Sequence, residues 1–315
     1  MCKSRYLSLS VFVLSACLSL WLATASASWP GSSTDYATYS HPLGLQFQHP
    51  QSWTVFESAL GLQVNPPDAG SSYYGPTEAY FFTIMGADPT VSSLADPQAA
   101  QLLNGLVAQI LPFLQPKGES RAVGESGRVF SYNGTSPEGI EADCHVFGQL
   151  TGGYFISLIA LGEVQAVSQR ETEIVNIFKS LKFGAPEADP QHASTWYSNS
   201  YSSSGSYGDR VNTSTQHTMT LLPDGRLSTS AQTSVHGWSQ GESGGPDRTS
   251  ITGLTDASTE EGRWAISGSD LYLLWKDVGV VKWSIYIQGE PGRREMFLTP
   301  AAGGEGVLWT EYPDF

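Results

Sequence analysis

Residues 141–161 read Glu141-Ala142-Asp143-Cys144-His145-Val146-Phe147-Gly148-Gln149-Leu150, then Thr151-Gly152-Gly153, then Tyr154-Phe155-Ile156-Ser157-Leu158-Ile159-Ala160-Leu161. Two apolar-rich runs of strand length flank a Gly-Gly pair, the residues that best tolerate the positive φ of a two-residue hairpin turn. The stretch predicts a pair of antiparallel strands, and Arg128 to Tyr132 supplies a third just upstream.

Working towards the N-terminus, Ala79 to Met85 is a fully apolar run of strand length, and Trp53 to Phe56 with Leu60 to Val64 suggest another pair, stopped by Pro66-Pro67. Leu43 to Gln48 alternates apolar and polar and ends at His49-Pro50. Between these runs Asp96-Pro97 opens a helix, with Asp at the N-cap and Pro in the first turn. Its apolar set is Ala99, Leu102, Leu103, Leu106, Ile110 and Phe113. Downstream, Glu163 to Lys182 returns to helical spacing through Val167, Ile174, Ile177, Phe178 and Leu181.

This order resembles the PsbP-like α/β sandwich of photosystem extrinsic proteins and bacterial secreted proteins. The likeness is carried by Gly44-Leu45-Gln46-Phe47 with Pro50 and Trp53, by Gly153-Tyr154-Phe155-Ile156, and by the closing Ile177-Phe178-Lys179-Ser180-Leu181-Lys182-Phe183. It covers residues 36–184. The family is mostly non-enzymatic, so the resemblance implies an accessory or binding role.

Composition breaks at Gly184-Ala185-Pro186-Glu187-Ala188-Asp189-Pro190, and residues 185–193 read as a linker. Beyond it the chain reads as all-β. Thr218 to Leu222, Pro223-Asp224-Gly225 and Arg226-Leu227-Ser228 form one hairpin, and Gly262 to Leu273 forms a second. Val280 to Gln288, Met296 to Leu298 and Val307 to Tyr312 continue the meander. Six to eight such strands fit an antiparallel barrel or curved sheet. The Pro223-Asp224-Gly225-Arg226 turn and the Gly262-Arg263-Trp264 to Leu273 stretch look like the lipocalin-like domains of bacterial envelope proteins, over residues 194–315. The expected fold class is thus α+β in two domains, a PsbP-like sandwich followed by a lipocalin-like β domain.

The front of the chain reads as an export signal. Lys3 and Arg5 precede the apolar stretch Leu7 to Leu22, and Ala23-Thr24-Ala25-Ser26-Ala27 offers a small-residue cleavage site, making 1–27 a signal peptide. Two other readings stand beside it. Leu14-Ser15-Ala16-Cys17 has the form of a lipobox, which would anchor a lipoprotein through Cys17, and the same stretch uncleaved would be a short membrane anchor. The expected location is periplasmic or extracellular. The chain carries 16 Lys+Arg against 30 Asp+Glu, a net charge of −14, with no basic cluster, which excludes nucleic acid as the expected partner.

No set of residues converges on a reaction. Gly241-Glu242-Ser243-Gly244-Gly245-Pro246 has the G-x-S-x-G form, and a secreted serine hydrolase using Ser243 is the alternative reading. A nucleophile elbow needs a helix after the Ser, and Pro246-Asp247-Arg248 follows instead, so the ordinary reading is a loop between barrel strands. Cys144 and His145 are neighbours on a strand and point to opposite faces, a buried thiol beside an outward imidazole. The six histidines have no metal-ligand spacing, and no glycine-rich strand–helix junction marks a nucleotide; no cofactor is expected. Glu171 and Glu173 read as solvent-facing.

The remaining signal is aromatic. Six of nine Trp fall at 196, 238, 264, 275, 283 and 309. Leu271, Leu273 and Trp275 share one strand face, and Trp283, Ile285 and Ile287 another. These faces either fill a barrel interior or line a cavity for a small apolar or saccharide ligand, with Trp264, Trp275, Trp283 and Tyr201 as candidate ligand-facing aromatics. Ser198 to Ser206 reads as a loop capping that mouth. The partner is expected to be such a ligand or another envelope protein, with membrane contact only through a lipidated Cys17.

Overall fold

The computed structural model describes residues 35–58, 61–72, 75–204, 210–240, 246–247, 253–255, 260–301 and 303–312. The signal at 1–27, Cys17 and Ser243 lie outside the described residues. The chain divides into two compact units, Met1–Gly184 with Lys276–Val280, and Ala185–Trp275 with Val281–Phe315.

The first unit runs β1 (Tyr36–Ser40), β2 (Leu45–Pro50), β3 (Thr54–Ser58), β4 (Gly61–Asn65), β5 (Ser71–Ser72), β6 (Gly75–Pro76), β7 (Glu78–Gly86), α1 (Pro97–Ile110), β8 (Leu114–Pro116), β9 (Arg121–Val123), β10 (Gly127–Thr135), β11 (Glu141–Thr151), β12 (Tyr154–Glu163), α2 (Val164–Gln169), α3 (Glu171–Lys179) and β13 (Lys182–Phe183). An antiparallel sheet in the order β3-β4-β7-β12-β11-β10-β8, with β9 added on β10, is its spine. The hairpin turn sits where the sequence places it: Gly152 and Gly153 take φ of 58° and 79°, and Thr151 pairs with Tyr154.

Strand alternation sends successive residues to opposite faces, and each face of the sheet has its own cover. Cys144, Val146, Phe130, Tyr132 and Phe155 meet α1 through Ala99, Leu103 and Val107. On the other face Phe147 packs on Phe178 of α3 at 5.6 Å between ring centres, and Phe82 packs on Phe47 of the small sheet β1-β2-β13 at 4.4 Å. Each such side chain, once buried, contributes roughly 1.5–3 kcal/mol. The α/β sandwich expected from the sequence is the fold observed.

Two helix expectations are corrected. In α1 the buried stripe is Ala99, Leu103 and Val107, at strict i, i+4 spacing, while Leu102 and Leu106 are 45% and 36% exposed and Phe113 lies past the helix end. The segment after β12 is two helices, broken at Arg170, whose φ of −99° and ψ of 0° leave the helical region. Arg170 is pinned there by Asp68 at 2.5 Å and Glu78 at 3.7 Å.

The first element of the second unit is a 3-10 turn at Pro190–His192, capped by the Asp189 carboxylate accepting from the Gln191 N–H. Ala188 and Ala193, on either side, pack against the core that follows. The strands are β14 (Ser194–Ser204), β15 (Arg210–Leu221), β16 (Arg226–Gln240), β17 (Pro246–Asp247), β18 (Gly253–Thr255), β19 (Glu260–Ser267), β20 (Asp270–Trp275), β21 (Gly279–Gln288), β22 (Glu295–Pro300) and β23 (Val307–Thr310). β14 pairs with β15 and β23, and the order runs on through β22, β21, β20, β19 and β16 back to β15. Eight antiparallel strands therefore close into a barrel, which removes the exposed edges an open sheet would leave. The expected capping loop at 198–206 is corrected over 198–204, and 205 and 206 lie outside the described residues. Residues 198–204 continue β14, in unbroken register with 217–211 of β15.

Candidate functional site

Two places in the molecule gather polar chemistry, one in each unit. In the barrel, alternation from the fully buried Trp196, Met219 and Leu227 fixes which side chains face inward. Along the three long strands the inward positions form rungs: Trp196, Met219 and Thr229; then Ser198, His217 and Ala231; then Ser200, Thr215 and Thr233. The inward register thus changes from large apolar side chains to small hydroxyls within two rungs, and at the third rung Thr215 and Thr233 are half-buried while Ser200 is exposed. Thr215 and Thr233 bond to each other through their hydroxyls at 3.0 Å.

The apolar end is filled. Trp264, Leu271, Leu273, Met296 and Leu298 close around Trp196, with Trp275, Trp283, Ile285 and Ile287 packed against them. Both inward-facing sets read from the sequence therefore meet in this core. A shallow cavity of about 290 Å³ is lined by His192, Ile266, Ser269, Ile285 and Ile287 among others. The Trp196 indole N–H is buried without a hydrogen-bond partner among the described residues.

The four candidate aromatics separate accordingly. Trp264 is wholly buried and its indole N–H donates to the Leu222 carbonyl at 2.8 Å, a packing role. Tyr201 is odd-numbered on a strand whose even positions face in, and it is 76% exposed on the outside of the barrel. Trp275 and Trp283 are half-buried on the inner face.

The second place is a cleft of about 360 Å³ in the first unit, lined by Lys117, Arg121, Ser131, Asp143, His145, Ser168 and Glu171. Ser131 and His145 are direct partners on β10 and β11, which brings Oγ to 2.9 Å from Nδ1. Asp143, two residues back on the same face, is held by Lys117 Nζ at 3.2 Å from both carboxylate oxygens. Its side chain is only 8% exposed. Across the cleft Arg121 stands 3.7 Å from Glu171, and both are more than half exposed. Burial pulls His145 below the usual imidazole value, outweighing the nearby Asp143 and Glu171 carboxylates.

This arrangement differs from a Ser–His–acid triad. A serine hydrolase needs the Ser on one imidazole nitrogen and an acid on the other. Here Ser131 takes Nδ1, and among the described residues no acid contacts Nε2. Cys144 faces the opposite side of the sheet, buried, as its place on a strand requires. No group of three His, Cys, Asp or Glu that could hold a metal occurs among the described residues.

No family model and no curated protein matches the chain. Among solved structures it is similar to the solution structure of cyanobacterial PsbP (CyanoP) from Synechocystis sp. PCC 6803, at 11% identity, covering 50% of this chain and 98% of that one, with a TM-score of 0.36.

Proposed function

We propose that this chain is an exported, non-catalytic binding or accessory protein of the bacterial cell envelope, with its ligand held by a lipocalin-like barrel. Export is supported by the basic, apolar and small-residue sequence of residues 1–27. The observation that carries the binding role is the change of interior chemistry along β14, β15 and β16, from Trp196 and Met219 to Ser198, His217 and Thr215. A barrel of eight strands has an interior that side chains can just fill, or that holds one small ligand. Here large side chains fill one part, and the next rungs carry hydroxyls and an imidazole, groups that hydrogen-bond a polar ligand. Half-buried Trp275 and Trp283 add aromatic faces on which a sugar ring or an apolar group can rest.

Tryptophan fluorescence of the purified protein, titrated separately with saccharides and fatty acids, tests the reading. One class is expected to give a saturable change that weakens in His217→Leu. Silence from both classes would remove the barrel ligand from the proposal. Fractionation of cells expressing the chain with residues 1–27 in place tests export, and a product left in the cytoplasm would overturn it.

A further inference from the structure

We propose that the cleft between β10, β11 and the α2–α3 junction binds a small zwitterion carrying one carboxylate and one ammonium, such as a free amino acid, inserted between Arg121 and Glu171. The two ion pairs of the cleft differ in kind. Lys117 and Asp143 make two contacts at 3.2 Å over a buried carboxylate, a closed floor. Arg121 and Glu171 are too far apart at 3.7 Å for a hydrogen bond, and their side chains are 65% and 55% exposed. Such an exposed, solvent-screened pair is weakly held, so it opens at little cost. The guanidinium fork then matches a carboxylate with two parallel hydrogen bonds, while Glu171 accepts from the ammonium.

Charge balance selects the ligand class. The lining groups are two cations, Lys117 and Arg121, against two carboxylates, Asp143 and Glu171. A lone oxyanion would bring uncompensated negative charge towards Asp143, and a lone amine would bring positive charge towards Lys117. A zwitterion leaves the balance intact. The Ser168 hydroxyl and the Nε2 edge of His145, whose Nδ1 is occupied by Ser131, remain for the ligand's other polar atoms. A cleft of about 360 Å³ accommodates a molecule of amino-acid size.

Heteronuclear NMR of the full chain, titrated with L-alanine, L-serine and L-glutamate and with acetate and methylammonium as half-ligands, decides the matter. At least one amino acid is expected to give saturable shifts confined to residues around 117–131, 143–145 and 168–171. Each half-ligand should bind at least about tenfold more weakly. Arg121→Gln and Glu171→Gln are surface changes that preserve the fold, and each should weaken the amino acid about tenfold or more. Acetate binding as tightly as the amino acids would overturn the zwitterion, as would unchanged affinity in both variants. Absence of saturable shifts up to about 20 mM would remove the site altogether.

Discussion

Arg294 and Glu311 are ion-paired inside the second unit, with side chains 12% and 3% exposed. Glu311 also accepts from the backbone N–H groups of Gly292 and Arg294, at 2.6 and 3.2 Å, and so ties the β21–β22 turn to the end of β23. Arg294 lies over the Trp196 ring at 5.3 Å, joining the pair to the barrel core.

The hydrogen bonds from Arg294, despite burial, hold Glu311 down to about 2 from an ordinary 4.5. A carboxyl lowered by folding contributes its stability fully above its unfolded value and loses it as pH falls through the folded one. The pair is therefore expected to contribute about 3 kcal/mol above pH 4.5 and to lose it towards pH 2. Glu311→Gln should cost about that much at pH 7, because it leaves a buried guanidinium uncompensated. Urea melts of both proteins at pH 7 and pH 2.5 test this. The two curves should converge at the lower pH.

Trp264 and Tyr201 should behave as opposites. Trp264→Phe removes the hydrogen bond to the Leu222 carbonyl and leaves space in a filled core, at a cost of about 2–4 kcal/mol. Tyr201→Ala removes an exposed ring and should move stability by less than about 0.5 kcal/mol. Denaturant midpoints for the two variants read the difference directly.

Turn chemistry made much of this fold legible. Gly152-Gly153 and Pro223-Asp224-Gly225 sit at hairpin turns, with Gly153 and Gly225 at φ of 79° and 80°. Local composition points away from the fold where tertiary context overrides it. Serine has weak strand preference, so 198–204 reads as a loop; it is strand because β15 supplies an unbroken register. Leu102 and Leu106 fit a buried helix face by spacing alone, but the sheet meets only the narrower Ala99–Leu103–Val107 stripe.

The cleft leaves little trace in local sequence. Its residues come from the turn after β8, from β9, β10 and β11 and from α2 and α3, with no common spacing. The available signal was Asp143 and His145 at i, i+2 on one strand face. Attention to the adjacent Cys144–His145 pair passes over it. Glu171 is solvent-facing as read, yet it is also a wall of the cleft.

The turn itself supports a cleaner test. A Cβ on Gly153 would meet nothing within 4 Å, so the cost of Gly153→Ala comes from its φ of 79° and not from crowding. A loss of about 1–2 kcal/mol is expected. Gly153→Asn should recover part of it, since Asn tolerates the left-handed region. Equal melting temperatures for Ala and Asn variants would show that backbone conformation does not set the cost.

Cys144 supports the last expectation. Its thiol is 1% exposed against α1, and burial, aided by the neighbouring Asp143 carboxylate, pushes it up to about 12. Alkylation requires the thiolate, which is then scarce even at pH 9, and it requires access that the core denies. Iodoacetamide should therefore modify Cys144 only as fast as the first unit opens, with a rate independent of reagent concentration once opening limits. Mass spectrometry of the peptide containing Cys144, sampled over time in native buffer and in urea, measures this. Rapid labelling in native buffer, first order in reagent, would mean that the thiol is reachable without opening and that the α1 face is looser than its packing implies.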